Sequence, residues 1–266
     1  MTIKYSIPKA EVELKSLKKE IIRLSMQKKE GHIGSSLSIL HILYHLYATV
    51  FDRNITKDSN KFILSKGHAA LGLYVILHHF SYISREELDS FCGFESILGG
   101  HPNVRKISAV SASTGSLGHG LPMATGIAMA KKIQENLGKV YCLIGDGEAN
   151  EGTIWEAALL ASEHSLGNLT CIMDMNMSGE RAIRLGNLLS KFQSFGFESY
   201  EIDGHDLHAI SEALEIQLDS SKPKFILANT VKGKGIRRME GNPAWHHRSP
   251  TESEYEEIIQ EFSEEL

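Results

Sequence analysis

Gly145-Asp146-Gly147-Glu148-Ala149-Asn150-Glu151-Gly152 directly follows an apolar run, Val140-Tyr141-Cys142-Leu143-Ile144. Asn176, thirty positions after Asp146, follows a second one, Leu169-Thr170-Cys171-Ile172-Met173. Short runs rich in β-branched and aromatic residues, bounded by Gly or Asn, read as buried strands. Between them Ile154, Trp155, Ala158, Leu159 and Ala161 recur at helical spacing. The unit is therefore strand–turn–helix–strand, and a right-handed crossover sets its strands side by side in one parallel sheet. Asp146 and Asn176 then stand at neighbouring strand ends, on the carboxyl edge where open α/β sheets bind ligands. One carboxylate and one amide oxygen are hard ligands, suited to Mg2+ or Ca2+ that also holds phosphate oxygens. Gly145 and Gly147 let the backbone come close to a diphosphate. Alone, Gly-Asp-Gly is equally a tight turn; the second oxygen ligand at the next strand end favours the metal-and-diphosphate reading.

The rest of the chain agrees with an α/β fold. Leu14, Leu17, Ile21 and Leu24 recur every three or four residues and predict an amphipathic helix leading into Gly31. Ser38 to Val50 reads as a second helix, with Leu40, Leu43, Tyr44 and Tyr47 on one face. Lys61–Leu64 is a strand candidate, and His68 follows it at the turn into a helix over Ala69–His79. Further strands are expected at Glu198–Ile202 and Lys224–Asn229. Strands alternating with helices predict a parallel sheet covered on both faces. No repeat or linker divides the chain, so residues 1–266 are expected to form a single domain. The Glu-rich stretch 251–266 reads as an exposed helix and not a second core.

A formal charge of −5 supplies no electrostatic reason for a nucleic-acid or anionic-membrane partner. Cys92, Cys142 and Cys171 have no metal or redox spacing, and an odd, sparse set suits a reducing compartment. The segment Met1 to Lys9 lacks a signal peptide's apolar core, and no stretch approaches the eighteen or so apolar residues that span a bilayer. A cytoplasmic protein is the expectation.

Thirteen histidines include several beside glycines in loops: His32, His68, His101, His205 and His246. A lone loop histidine is usually a solvated side chain, but several at strand ends can donate to phosphate or sugar oxygens and relay protons near neutral pH. Gly145-Asp146-Gly147 with Asn176 resembles the thiamine diphosphate fingerprint. Around it, Gly31-His32-Ile33-Gly34-Ser35-Ser36, Ser65-Lys66-Gly67-His68-Ala69, Gly100-His101-Pro102, Ser113-Thr114-Gly115-Ser116-Leu117-Gly118, Asp203-Gly204-His205-Asp206 and Lys232-Gly233-Lys234-Gly235 resemble transketolase segments, in family order. The resemblance covers roughly residues 10–250.

The resemblance implies a thiamine diphosphate-binding fold and assigns roles. His68, His246 and the backbone of Gly147 match contacts to the cofactor diphosphate. Asp146, Asn176 and the main-chain oxygen of Ser178 match the ligands of Mg2+ (or Ca2+). Gly115 and Leu117 match the loop against which the thiazolium and aminopyrimidine rings rest. His32 and His101 match histidines facing the sugar substrate. Glu151 and Glu156 match acids of a self-association interface between paired sites. Three departures stand out. His119 replaces the usual Gln, Met175 replaces Asp or Tyr, and Asn176–Lys191 is about five residues shorter than the family pattern and lacks its Gln-x-Asp-Gly. The Glu that activates the aminopyrimidine belongs, in the family, to a later domain. The chain thus resembles the N-terminal subunit of a split transketolase, transferring a two-carbon ketol unit from ketose to aldose with a separately encoded C-terminal subunit, as a heterotetramer. The alternatives are thiamine diphosphate-dependent carboligation on an atypical sugar or 2-oxo acid, or a catalytically silent cofactor-binding module.

Overall fold

Five strands turn successive side chains to opposite faces of one sheet: β1 (Lys61–Leu64), β2 (Val140–Gly145), β3 (Leu169–Met175), β4 (Glu198–Asp203) and β5 (Lys224–Asn229). They pair in parallel throughout, in the order β1-β2-β3-β5-β4. All five expected strands are present. The computed structural model of the chain describes residues 5–52, 56, 58–179 and 182–264. Residues 1–4, 180, 181, 265 and 266, parts of stretches read above, lie outside the described residues.

Phe62, Leu64, Tyr141, Leu143, Ile172 and Ile226 face one core. It is built by α1 (Ile7–Lys28), α2 (Ile33–Ser38), α3 (Leu40–Thr49), α4 (Ala70–His79) and α5 (Arg85–Asp89). Ile63, Cys142, Ile144, Cys171, Met173 and Phe225 face the other, beneath α6 (Gly120–Ile133), α7 (Gly152–Glu163) and α8 (Leu188–Ser194). The first core is completed by α9 (Leu207–Glu215) and α10 (Glu252–Glu264). Helices therefore cover both faces, as the near-continuous apolar inner strands require. Local signals set several boundaries: Ser84 and Glu87 form a reciprocal capping box on α5, and the Asp206 carboxylate accepts from the His208 amide at the start of α9.

The helix expected between β2 and β3 is present as α7, and one expectation, for the C-terminal helix, is corrected. Leu159, which shares the helical spacing of the buried residues of α7, is 58% exposed, and Leu160 beside it is 49% exposed. The buried face consists of Ile154, Ala157, Ala158 and Ala161, which join the core on that side of the sheet while α7 packs along α6. The Glu-rich C-terminal helix is not simply exposed. Ile258 and Phe262, four apart, are buried in the first core, while α10 packs along α1.

Candidate active site

The carboxyl ends of the strands bring the motif residues to one edge. His68 follows β1, Asp146 follows β2, Asn176 follows β3, Lys232 follows β5 and His205 follows β4. Because β2 and β3 are adjacent, with Gly145 in register with Asp174, Asp146 and Asn176 stand next to each other as expected. Asp146 is buried, and its two oxygens accept from the amides of Gly147 at 2.8 Å and Gly179 at 3.0 Å. Burial raises its carboxyl above the usual range against those two donors. A Cβ on Gly179 would lie 2.7 Å from the Gly147 nitrogen, so only glycine lets the segment after Asn176 close on the Gly-Asp-Gly turn.

Asn176 is oriented from below. Its Nδ2 donates to Asp174 Oδ2 at 2.7 Å, while its Oδ1 accepts from the Ser178 amide at 3.1 Å. The amide oxygen therefore faces the Ser178 side, where a cation ligand is expected. Asp174 is fully buried and also accepts from Ser38 Oγ at 2.8 Å, from Thr230 Oγ1 and from the Lys66 ammonium. Burial opposes its charge, but Lys66, Thr230 and Ser38 outweigh that and hold Asp174 below the ordinary carboxylate range. On the far side, Lys232 Nζ reaches Ser178 Oγ at 3.1 Å and His246 Nδ1 at 2.7 Å. Asn176, Ser178, Thr230, Lys232 and His246 line a cavity of about 470 Å³. A separate cavity of about 340 Å³, lined by Tyr47, Phe62 and Tyr82, opens near the start of β1 and contains none of these residues.

Three of the histidines singled out in the sequence, His32, His68 and His246, converge. The His32 ring centroid lies 5.1 Å from that of His68 and 5.5 Å from that of His246. His247, not singled out in the sequence, packs on His32 at 4.5 Å and reaches Glu30 at 3.3 Å. His101 lies against Gly115, where a Cβ would meet its ring at 3.3 Å. Burial, followed by the neighbouring histidines His247, His246 and His101 and by Lys232, lowers His32 to about 4. Burial and the Lys66 charge lower His68 to about 2. Both are thus neutral at pH 7, each with one N–H donor and one lone pair.

Leu117, at the end of the Gly115 loop, is 37% exposed, and the departing residue His119 lies outside the cluster with its Nδ1 2.9 Å from the Leu117 carbonyl. Glu151 and Glu156 are exposed in the single chain. His205 braces the lysine segment: its Nε2 accepts from the Val231 amide at 2.8 Å, and its Nδ1 is 3.3 Å from His41 Nδ1. Sequence reading assigned no role to Lys66, Asp174, Lys232 or Gly179. An acid inside the otherwise apolar run of β3 was the available signal for Asp174, whereas Lys66 and Lys232 lay within quoted blocks with nothing local to mark their partners.

Among the described residues, no three His, Cys, Asp or Glu side chains gather around one metal position. The set at the sheet edge is of another kind: one carboxylate and one amide oxygen, both hard, beside a lysine and neutral histidines. That donor chemistry fits a divalent cation together with a diphosphate. Residues 15–263 match the family model described as transketolase, thiamine diphosphate binding domain.

The chain belongs to the transketolase family.

It is 36% identical to one of the subunits of the apulose-4-phosphate transketolase of Phocaeicola vulgatus, across 96% of this chain and 94% of that protein. A 6-deoxy-6-sulfo-D-fructose transketolase subunit from a Clostridium species is 34% identical, across 88% of this chain and 89% of its own length. The crystal structure of transketolase from Campylobacter jejuni superposes with a TM-score of 0.81 at 32% identity, covering 95% of this chain. The match spans 41% of that longer transketolase. This chain therefore corresponds to the N-terminal, thiamine diphosphate-binding subunit of split transketolases, components of a transferase.

Proposed function

We propose that the chain works as the diphosphate-binding subunit of a two-chain transketolase, with Asp146, Asn176 and the main-chain oxygen of Ser178 holding Mg2+ or Ca2+. The observation that carries this reading is at the sheet edge: Asp146 and Asn176, the latter oriented by Asp174, follow adjacent strands, and the Gly179 amide just after Asn176 donates to the Asp146 carboxylate. His68, His246 and the Gly147 backbone are assigned to the diphosphate. Lys232, between Ser178 and His246, adds a cation on the same side. Gly115 and Leu117 form the wall for the cofactor rings. When bound, thiamine diphosphate supplies a carbanion centre stabilised by its ring nitrogen. His32 and His101 face the sugar and exchange protons with its hydroxyls, a role that imidazoles can fill.

The partner subunit contributes the activating Glu and completes the substrate channel. Glu151 and Glu156, exposed in the single chain, are assigned to self-association into a two-fold heterotetramer. No helix among the described residues is long and apolar enough to cross a membrane, and we place the protein in the cytoplasm, where its three thiols stay reduced. The named relatives act on ketoses that carry a phosphate or a sulfonate, so such anionic ketoses are the first donors to screen. A second reading, carboligation on another modified sugar or a 2-oxo acid, draws on the short 176–191 sequence; Met177 within it lines the cavity and is 51% exposed.

The test is ketol transfer by the purified chain with and without its cognate C-terminal subunit. Turnover only with the partner is expected. Equal turnover by the folded chain alone defeats the two-chain reading, and turnover confined to 2-oxo acids selects the second one.

A further inference from the structure

Glu148 lies inside the Gly-Asp-Gly stretch, yet the roles above leave it unused. Its side chain is sealed at 1% exposure, deeper than Asp146. Its carboxylate gathers donors from three separate stretches. Oε1 accepts from Ser65 Oγ at 2.6 Å and from the Gly118 amide at 2.9 Å, and Oε2 accepts from the Gly145 amide at 2.9 Å. Ser65 Oγ in turn accepts from the Gly120 amide at 3.1 Å. Ser65 opens the turn that carries His68, Gly118 closes the loop of Gly115 and Leu117, and Gly145 precedes Asp146. Gly118 is held from both sides, since Thr153 Oγ1 donates to its carbonyl at 2.9 Å. At φ +79° and with a Cβ position only 2.5 Å from Glu151 Cβ, residue 118 has room for glycine alone. A buried carboxylate bonded to a hydroxyl and two amides is costly to desolvate, so these bonds must confer an arrangement that an apolar side chain would not.

We propose that Glu148 is a positioning residue that clamps three segments, the Ser65–His68 turn, the Gly115–Gly118 loop and the strand end before Asp146, into the arrangement that receives thiamine diphosphate. The inference rests on the cofactor placement proposed above. A carboxylate suits the task because it only accepts, and all three groups facing it donate. Glu148→Gln keeps the shape but sets an NH2 against one of those donors.

The experiment compares wild type, Glu148→Gln and Ser65→Ala, each as the full chain. It reads amide hydrogen exchange at Gly118 and Gly145 without cofactor, and calorimetric binding of thiamine diphosphate with Mg2+ in the presence of the partner subunit. Folded Glu148→Gln should exchange its Gly118 amide about tenfold faster and bind the cofactor about tenfold or more weakly, as expected for losing a charge-assisted bond. Ser65→Ala, which keeps the carboxylate, should weaken binding by a smaller factor. A purely structural role would lower the melting temperature and leave the affinity of the folded protein unchanged; that result overturns the proposal. If Glu148→Gln does not fold, unchanged affinity in Ser65→Ala overturns it equally. Wild-type protein that fails to bind the cofactor would instead overturn the cofactor placement, and this inference with it.

Discussion

Lys66 and Asp174, 108 positions apart in the chain, form an ion pair with side chains only 1% and 0% exposed. Lys66 leaves the end of β1 and Asp174 lies in β3, so the pair reaches across the end of the intervening β2. It lies directly below the edge where Asp146 and Asn176 stand, and Asp174 fixes the direction of the Asn176 amide. The charge beneath the site is thus internally compensated, and the groups above it are left to meet a ligand.

Removing one partner should expose the cost of burying the other. Lys66→Met leaves the Asp174 carboxylate without its cation and should destabilise the chain by about 3–5 kcal/mol. Lys66→Met combined with Asp174→Leu should cost less, because no charge then remains buried. Urea unfolding of the three proteins decides it; a single variant as stable as wild type would show that the pair is solvated in solution.

Asp146→Ala should weaken joint binding of thiamine diphosphate and divalent metal by several kcal/mol, since it removes the only carboxylate of the proposed ligand set. Chelation of the metal should lower cofactor affinity in wild type and leave the variant nearly unchanged. Calorimetry with the partner subunit reads both. Cofactor affinity in Asp146→Ala equal to that of wild type removes the metal assignment.

His32→Ala and His101→Ala should lower turnover by roughly 10²–10⁴-fold and leave cofactor affinity close to wild type. The separation matters because His32 contacts both His68 and His246, which are assigned to the diphosphate. Loss of cofactor binding in either variant would move that histidine to the diphosphate side, and full turnover would reduce it to a packing role.

Acid should destabilise the chain through its buried histidines. Burial lowers His41 to about 2 and His205 to about 4, with Lys18 and Lys234 adding to the effect on both. Their unfolded forms titrate near 6.5. As pH falls from 6.5 towards 4 the unfolded chain takes up protons that the native chain refuses, so stability declines; above 6.5 neither form is charged and the effect vanishes. Asp146 and Glu148, raised by burial, act in the opposite sense at the acid end. The melting temperature should therefore drop between pH 7 and 5, and His41→Gln should flatten that drop. An identical slope in His41→Gln would refute the assignment.

Much of this molecule was legible without coordinates, for local reasons. Short runs of strand-forming residues marked all five strands, and the turn residues after them located the carboxyl edge of the sheet, because both signals are written within a few neighbouring positions. Where charge dominated the local pattern the core was hidden: the glutamates of α10 concealed the buried pair Ile258 and Phe262.

The sequence by itself determined the parallel α/β sheet, the family, and which blocks of Gly, His, Asp and Asn meet at its carboxyl edge. Only the tertiary structure decided that Lys66 pairs with Asp174, that Asp174 turns Asn176, that His247 joins His32, and that Glu148 ties Ser65, Gly118 and Gly145 together. The physical reason is range. A strand or a turn is set by dihedral preferences and side-chain patterning over a few residues. A buried polar group instead takes whichever donor the packed chain brings within about 3 Å, and three of these partnerships join segments that are 83, 108 and 30 residues apart.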